Sequence, residues 1–228
     1  MAPPTVGPHA RQMGATVIRM PRRRRQRVAA LQSVGTGILG ALLWTAFAVE
    51  HIHVFLHTGR VVGIGLAVVE IYAAALFVVR RPAERTSERP LDWTVALVGT
   101  FGALVLRPGG AHSQAGDVLG LTLQAAGVLV VLLGLGALGR SFGLVAAQRR
   151  LVTTGAYRHV RHPLYAAYAL IQLGYLMQSV RLWNVAVMAA VWAAQVARIR
   201  GEEGLLSRDD RYARYTQATR FRLIPHVW

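Results

Sequence analysis

The chain has 228 residues, of which 54% are hydrophobic and only 16% charged, with a mean hydropathy of +0.37 and a formal net charge of +16. Apolar runs recur near the ~20 residues that cross ~30 Å of hydrocarbon, which argues against an ordinary soluble domain and implies a polytopic membrane protein. The charge comes from 26 arginines and no lysine; it clusters between the apolar runs instead of forming one stripe with interleaved aromatics, so nucleic acid is not an expected partner. Cysteine is absent, which removes disulfides, thiolate ligands and a cysteine nucleophile.

In chain order, residues 1–27 carry Pro3, Pro4, Pro8 and Pro21, end in an arginine run from Arg22 to Arg27, and read as a basic, mobile tail. Six apolar segments follow at about 29–50, 61–79, 91–106, 118–139, 163–180 and 182–197. The last two are separated only by a turn around Arg181, which predicts a tight hairpin, spanning or re-entrant. The fold class expected is all-α, a transmembrane helical bundle. It divides into the tail, helices one to four over 28–140, and a functional C-terminal region over 141–228.

Arginine placement sets an orientation. The tail, the loops after the second and fourth segments, and the stretch after the sixth hold 23 arginines, whereas the opposite side holds only Arg60, Arg107 and Arg181. Cytoplasmic loops retain arginine, so both termini and the Gly155 to Tyr165 loop are expected on the cytoplasmic side of the cell membrane. A cleavable signal is the less favoured reading of the N-terminus, because no small-residue cleavage pattern closes the first apolar run.

Two stretches fit G-x-G-x-x-G, Gly35 to Gly40 and Gly134 to Gly139, but neither follows a strand or opens a βαβ unit. They read as packing glycines, which let helices approach closely in a bilayer. Glu50, His51, His53 and His57 at the end of the first segment invite a metal reading; a polar cluster at the outer membrane interface is preferred. Glu70 lies near the middle of the second segment, where an ionisable group is costly, and it reads either as a buried hydrogen bond to another helix or as a group handling substrate.

The most informative stretch is Gly155-Ala-Tyr157-Arg-His-Val-Arg161-His162-Pro163-Leu164-Tyr165, a polar, basic loop between apolar segments. Before it, Leu151-Val152-Thr-Thr gives way to glycine, so the backbone leaves the helix and exposes N–H and C=O groups that a ligand can satisfy. Pro163 suits the first position of the next helix and holds His162 extended before it. About forty residues on come Arg198, Glu202 and Glu203, then Tyr212, Tyr215 and a closing Arg220-Phe-Arg-Leu-Ile-Pro225-His-Val-Trp228.

In the order and spacing of these pieces, roughly the last ninety residues resemble the integral-membrane methyltransferases related to isoprenylcysteine carboxyl methyltransferase and the phospholipid N-methyltransferases. The resemblance implies an S-adenosylmethionine pocket lined by His162, Pro163, Leu164 and Tyr165, with Leu151, Val152 and Tyr157 from the preceding loop. It implies that Glu202 contacts the cofactor and that Arg198 anchors the acceptor. Arg198 and Glu202 also stand four apart on one helical face, so an ion pair between them is the alternative. Ala156 and His226 depart from residues common in the family, and Arg149 stands where the eukaryotic carboxyl methyltransferases have His.

The activity so implied is methyl transfer at the membrane to a lipophilic acceptor that arrives from the bilayer, with no metal required. A carboxylate of an isoprenylcysteine-like or other lipid-like acid comes first, since it is ionised at neutral pH and needs only a cation such as Arg198. A phospholipid amine or a small thiol is the alternative and would need a base, for which His162, Glu203 or a loop tyrosine are the candidates. From other classes, an NADPH-dependent sterol-type reductase and a non-catalytic membrane protein remain the competing readings.

Overall fold

Seven helices account for most of the computed structural model, which describes residues 22–81, 85–87, 89–111, 113–143, 147–148, 151–207, 209–225 and 227–228. They are α1 (Arg22–Thr58), α2 (Val62–Val79), α3 (Pro90–Phe101), α4 (Gln114–Leu138), α5 (Pro163–Gln178), α6 (Leu182–Leu206) and α7 (Asp210–Ala218). Each apolar segment of the sequence corresponds to one of α1 to α6, so the fold is an all-α membrane bundle. Helices α1, α2, α4 and α6 are long and apolar enough to cross a membrane, while α3 and α5 are shorter.

Helix α1 overruns its expected limits at both ends. It begins at Arg22, so the arginine run assigned to the tail forms its first turns, as arginine's good helix propensity allows. It continues to Thr58 and therefore carries His51, His53 and His57 on the helix itself. Residues 1–21, Arg149 and His226 lie outside the described residues. Helix starts follow local chemistry. Ser113 caps α4 by accepting the Gly116 N–H at 3.1 Å, Asp209 caps α7 by accepting the Arg211 N–H at 2.9 Å, and Pro90 and Pro163 open α3 and α5, where a missing N–H costs nothing.

Long apolar side chains such as Ile38, Leu42, Leu129 and Leu133 point outward, as suits a lipid-facing surface. The interior packs Ala73, Leu76 and Phe77 of α2 against Val131 and Leu135 of α4 and Ala167 of α5. Phe77 meets Trp44 at 5.4 Å and Phe142 at 5.2 Å between ring centroids, and such aromatic pairs add to area burial. The glycines of the two G-x-G-x-x-G stretches are explained here: a Cβ on Gly37 would lie 2.9 Å from the Phe77 carbonyl oxygen, one on Gly40 would enter the Phe77 ring, and one on Gly134 would lie 2.7 Å from Leu164. Gly35 and Gly139 touch nothing in this sense. Packing explains three of the motif glycines, and Gly139, at φ 48°, ends α4 in a conformation that favours glycine.

Pairing between loops sorts the two ends of the bundle. The Arg81 N–H donates to Arg140 O at 2.8 Å, the Arg140 Nε donates to Val79 O at 2.8 Å, and two-residue strands β1 (Arg85–Thr86) and β2 (Ala147–Gln148) pair antiparallel. The loops after α2 and α4 thus share one end. At the other, Ala111 and Val180 exchange backbone hydrogen bonds of 3.2 Å, and Asn184 bonds both the N–H and the C=O of Arg107, at 3.0 and 2.9 Å. The arginine-rich loops and the arginine-poor loops therefore separate to opposite ends of the bundle.

The turn expected near Arg181 is present, but the two helices it joins splay apart. Helix α5 lies along α4 and helix α6 along α3, while α5 and α6 approach each other far less, although at the end away from their turn Tyr165 of α5 reaches Arg198 and Glu202 of α6. Gly120 and Gly174 set the α4–α5 approach, since a Cβ on either would meet the other's carbonyl. Helices α1 and α3 touch through Phe101, whose ring stands 6.3 Å from Trp44 and 6.0 Å from Phe47. A space encircled by six helices is left between these loosely joined seams.

Candidate active site

The polar loop is held by the chain that follows α6. Tyr215 Oη donates to Tyr157 O at 2.6 Å, Thr219 Oγ1 donates to Arg158 O at 3.3 Å, and the N–H groups of Arg161 and His162 donate to the carbonyls of Phe221 and Arg222, both at 2.9 Å. The end of the chain closes on itself in turn, with Trp228 O accepting from Arg222 and Leu223 at 2.8 and 2.9 Å and the Arg222 guanidinium lying 5.3 Å above the Trp228 ring. Such backbone pairing outside a helix is what a loop near a bilayer needs.

Two adjacent carboxylates on α6 behave differently. Glu203 is enclosed by two guanidiniums and an imidazole: Arg161 Nη1 at 3.1 Å, His162 Nε2 at 3.2 Å, and Arg222 Nε and Nη2 at 2.9 and 2.8 Å. Its lone pairs are committed, which removes it as the base suggested by its position in the sequence. This contact also holds the Arg222 guanidinium above its ordinary pKa. Glu202 instead accepts the Tyr165 hydroxyl and stands 3.9 Å from His162 Nδ1. Arg198, one turn earlier, places its guanidinium 5.2 Å from the Tyr165 ring centre and donates to Gln195 Oε1 at 3.1 Å and Thr100 Oγ1 at 3.4 Å.

These groups line one end of a cavity of about 790 Å³. Leu151, Val152, Tyr157, His162, Leu164, Tyr165, Arg198 and Glu202, all named from the sequence, face it together. Pro163 does not. It is fully buried at the start of α5, where it positions His162 and Leu164 on either side of it. Arg161, Tyr168, Tyr212 and Tyr215 also line the cavity. The tyrosine spacing in α7 was the one available signal for the last two, because three residues on a helix bring Tyr212 and Tyr215 to one face. The tyrosines outside the spans are poor bases: burial, and then the Glu202 charge, push Tyr157 far up, and burial raises Tyr215 to about 12.

The opposite wall comes from the half of the chain that carried only hydrophobic periodicity. Trp44, Phe47, His51, Val69 and Glu70 line it. His51, expected at an outer interface, instead points its ring inward: Nδ1 stands 2.9 Å from Glu70 Oε2 and 3.2 Å from Phe47 O. The interhelical hydrogen bond proposed for Glu70 exists, and it belongs to the cavity wall. His53 and His57 stack at 4.3 Å on the exposed side of α1, away from that pair.

Residues 119–208 match the model of the isoprenylcysteine carboxyl methyltransferase (ICMT) family, a segment that contains most of α4, the polar loop, α5 and α6 with Arg198, Glu202 and Glu203. No curated protein matches the chain. The matched segment, less than half of the chain, supplies the polar end of the cavity; together with the membrane-competent helices it makes the chain similar to the isoprenylcysteine carboxyl methyltransferases and supports, in general terms, a membrane methyltransferase.

Proposed function

We propose that the chain transfers the methyl group of S-adenosylmethionine to a lipophilic acceptor, in the cell membrane and from its cytoplasmic side. One observation carries this reading: a single cavity joins the polar cluster of Tyr157, His162, Tyr165 and Glu202 to an apolar chamber bounded by splayed helices. S-adenosylmethionine is water-soluble, cationic at sulfur and rich in hydrogen-bonding groups, which suits the polar end near the arginine-rich loops. Glu202 and Tyr165 would hold it and His162 would close over it, while Leu151, Val152 and Leu164 supply apolar surface. The acceptor's chain would occupy the apolar chamber, reached from the bilayer through the α5–α6 seam.

Transfer from a sulfonium is an in-line displacement in which the attacking and leaving charges cancel, so alignment and exclusion of water contribute most of the acceleration. Arg198 lines the cavity one helical turn from Glu202. It would steady an acceptor that is anionic as it attacks, as a lipid-like carboxylate is at rest. The test is direct: the protein in nanodiscs is titrated separately with S-adenosylmethionine and with NADPH. Binding of the first alone, weakened in Glu202→Ala, is the expected outcome. Binding of NADPH instead would favour a reductase and end this reading.

A further inference from the structure

On the cavity wall facing Arg198, the structure holds a carboxylate–imidazole pair that the methyltransferase reading leaves unused. His51 of α1 sits between two acceptors at Nδ1, the Glu70 carboxylate at 2.9 Å and the Phe47 carbonyl at 3.2 Å. Nδ1 therefore carries a ring proton, and in the neutral ring Nε2 is the atom that holds the basic lone pair. Both hydrogen bonds of the ring are at Nδ1, and the side chain is 32% exposed, in contact with the cavity it lines. Glu70 is 14% exposed at the middle of α2, where an ionisable group is retained at a cost. The other titratable groups that line the cavity from α1 to α6 are Glu50 on α1, Tyr165, Tyr168 and Tyr175 on α5, and Arg198 and Glu202 on α6; among the described residues α3 and α4 contribute none.

Resting on the reading of the cavity as a methyl-transfer chamber, we infer that His51, oriented by Glu70, is the general base that takes the proton from a protic acceptor, a thiol or amine that crosses the bilayer uncharged. A carboxylate acceptor would need no such base. The bases suggested by the sequence are otherwise engaged: Glu203 is held by two guanidiniums, His162 stands between Glu203 and Glu202, and Tyr157 is buried. Gln172 on α5 lines the same chamber, and its buried Oε1 has no hydrogen-bond partner among the described residues, which offers an acceptor for a polar group beside the reacting atom. In the reaction, the acceptor's lone pair forms the new bond to the methyl carbon and the S–CH3 bond breaks, its electron pair returning to sulfur as a neutral thioether. The acceptor's proton passes to His51 Nε2, and Glu70 balances the imidazolium. The carboxylate fixes the tautomer and stabilises the charge that forms.

The experiment uses the full chain in nanodiscs with three probes bearing a dodecyl or dodecanoyl chain, N-dodecanoylcysteinamide, dodecylamine and dodecanoate, and follows labelled methyl transfer alongside S-adenosylmethionine affinity. Transfer to the thiol or the amine and not to dodecanoate is expected, and the two protic arms decide between sulfur and nitrogen. His51→Gln, which keeps a polar side chain but no base, should lower transfer to the thiol by at least ~100-fold at pH 7. That deficit should shrink as pH rises past the thiol's own pKa near ~8.5, because the thiolate then forms without help. Glu70→Gln should fall between the two, and S-adenosylmethionine affinity should change less than twofold in both variants. A deficit that is equal at every pH, a preference for dodecanoate, or no transfer to either protic probe by a protein that binds S-adenosylmethionine would overturn the proposal. Failure of the wild-type protein to bind S-adenosylmethionine would instead overturn the methyltransferase reading, and this proposal with it.

Discussion

At the arginine-rich end of the bundle Glu203 has two guanidiniums and an imidazole within 3.2 Å, whereas on the cavity wall Glu70 has a single imidazole at 2.9 Å, whose other nitrogen has no hydrogen bond among the described residues. Both carboxylates sit on apolar helices. A carboxylate matched by several cations acts as a structural tie, since removing it strands the charges around it. One that holds a single imidazole in place leaves the imidazole free to exchange a proton. Number of partners, more than position in the sequence, separates scaffold from chemistry in this molecule.

The contrast can be broken at its strong end first. Glu203→Ala would leave Arg161, His162 and Arg222 facing one another, and we expect a loss of about 3 kcal/mol, read as a lower unfolding temperature in detergent. Glu70→Ala should cost less, about 1 kcal/mol, because the imidazole it abandons keeps the Phe47 carbonyl. Equal losses in the two variants would mean that Glu70 is as much a structural tie as Glu203.

Within the pair of adjacent carboxylates the expected effects divide. Glu202→Ala should weaken S-adenosylmethionine binding by about 1–3 kcal/mol, measured by calorimetry, with little change in unfolding temperature. Tyr165→Phe, which removes the hydroxyl that Glu202 accepts, should do the same to a smaller degree. Unchanged affinity in both would remove the polar end as the cofactor site. Arg198→Lys should retain cofactor binding yet lower turnover about tenfold, because an ammonium cannot spread over the Tyr165 ring while donating to Gln195 and Thr100.

Packing gives a smaller test with an internal control. Gly40→Ala would press on the Phe77 ring and should cost about 1–2 kcal/mol by overpacking, while Gly35→Ala, with nothing within 4 Å, should be neutral or stabilise by about 0.5 kcal/mol. The smallest perturbation sharpens the topology. A chain without cysteine accepts single reporters, so Arg60→Cys and Arg181→Cys should label from one side of the membrane and Arg89→Cys and Arg220→Cys from the other, with activity unchanged. Labelling of all four from one side would undo the assignment of the arginine-rich end to the cytoplasm.

What could be read along the chain was what local chemistry controls. Hydrophobic length marked every helix from α1 to α6, because crossing hydrocarbon demands a continuous apolar run whatever the neighbours are. The family resemblance pointed to eight residues that the cavity gathers, and they lie together because stretch 151–165 and the Arg198-to-Glu202 turn are each short enough for sequence distance to limit spatial distance. Tertiary structure decided the rest. His51 and Glu70 are 19 residues apart on different helices, and their meeting depends on the register in which α1 packs on α2, which periodicity does not specify. The packing of α5 on α4 more than on α6 likewise rests on the close approach at Gly120 and Gly174, a choice of partner that the hydrophobic run of α5 does not reveal. Glu203 and Glu202 are neighbours in the chain and could not be told apart until Arg161 and Arg222, brought in from either side of α6, surrounded one and left the other beside Tyr165.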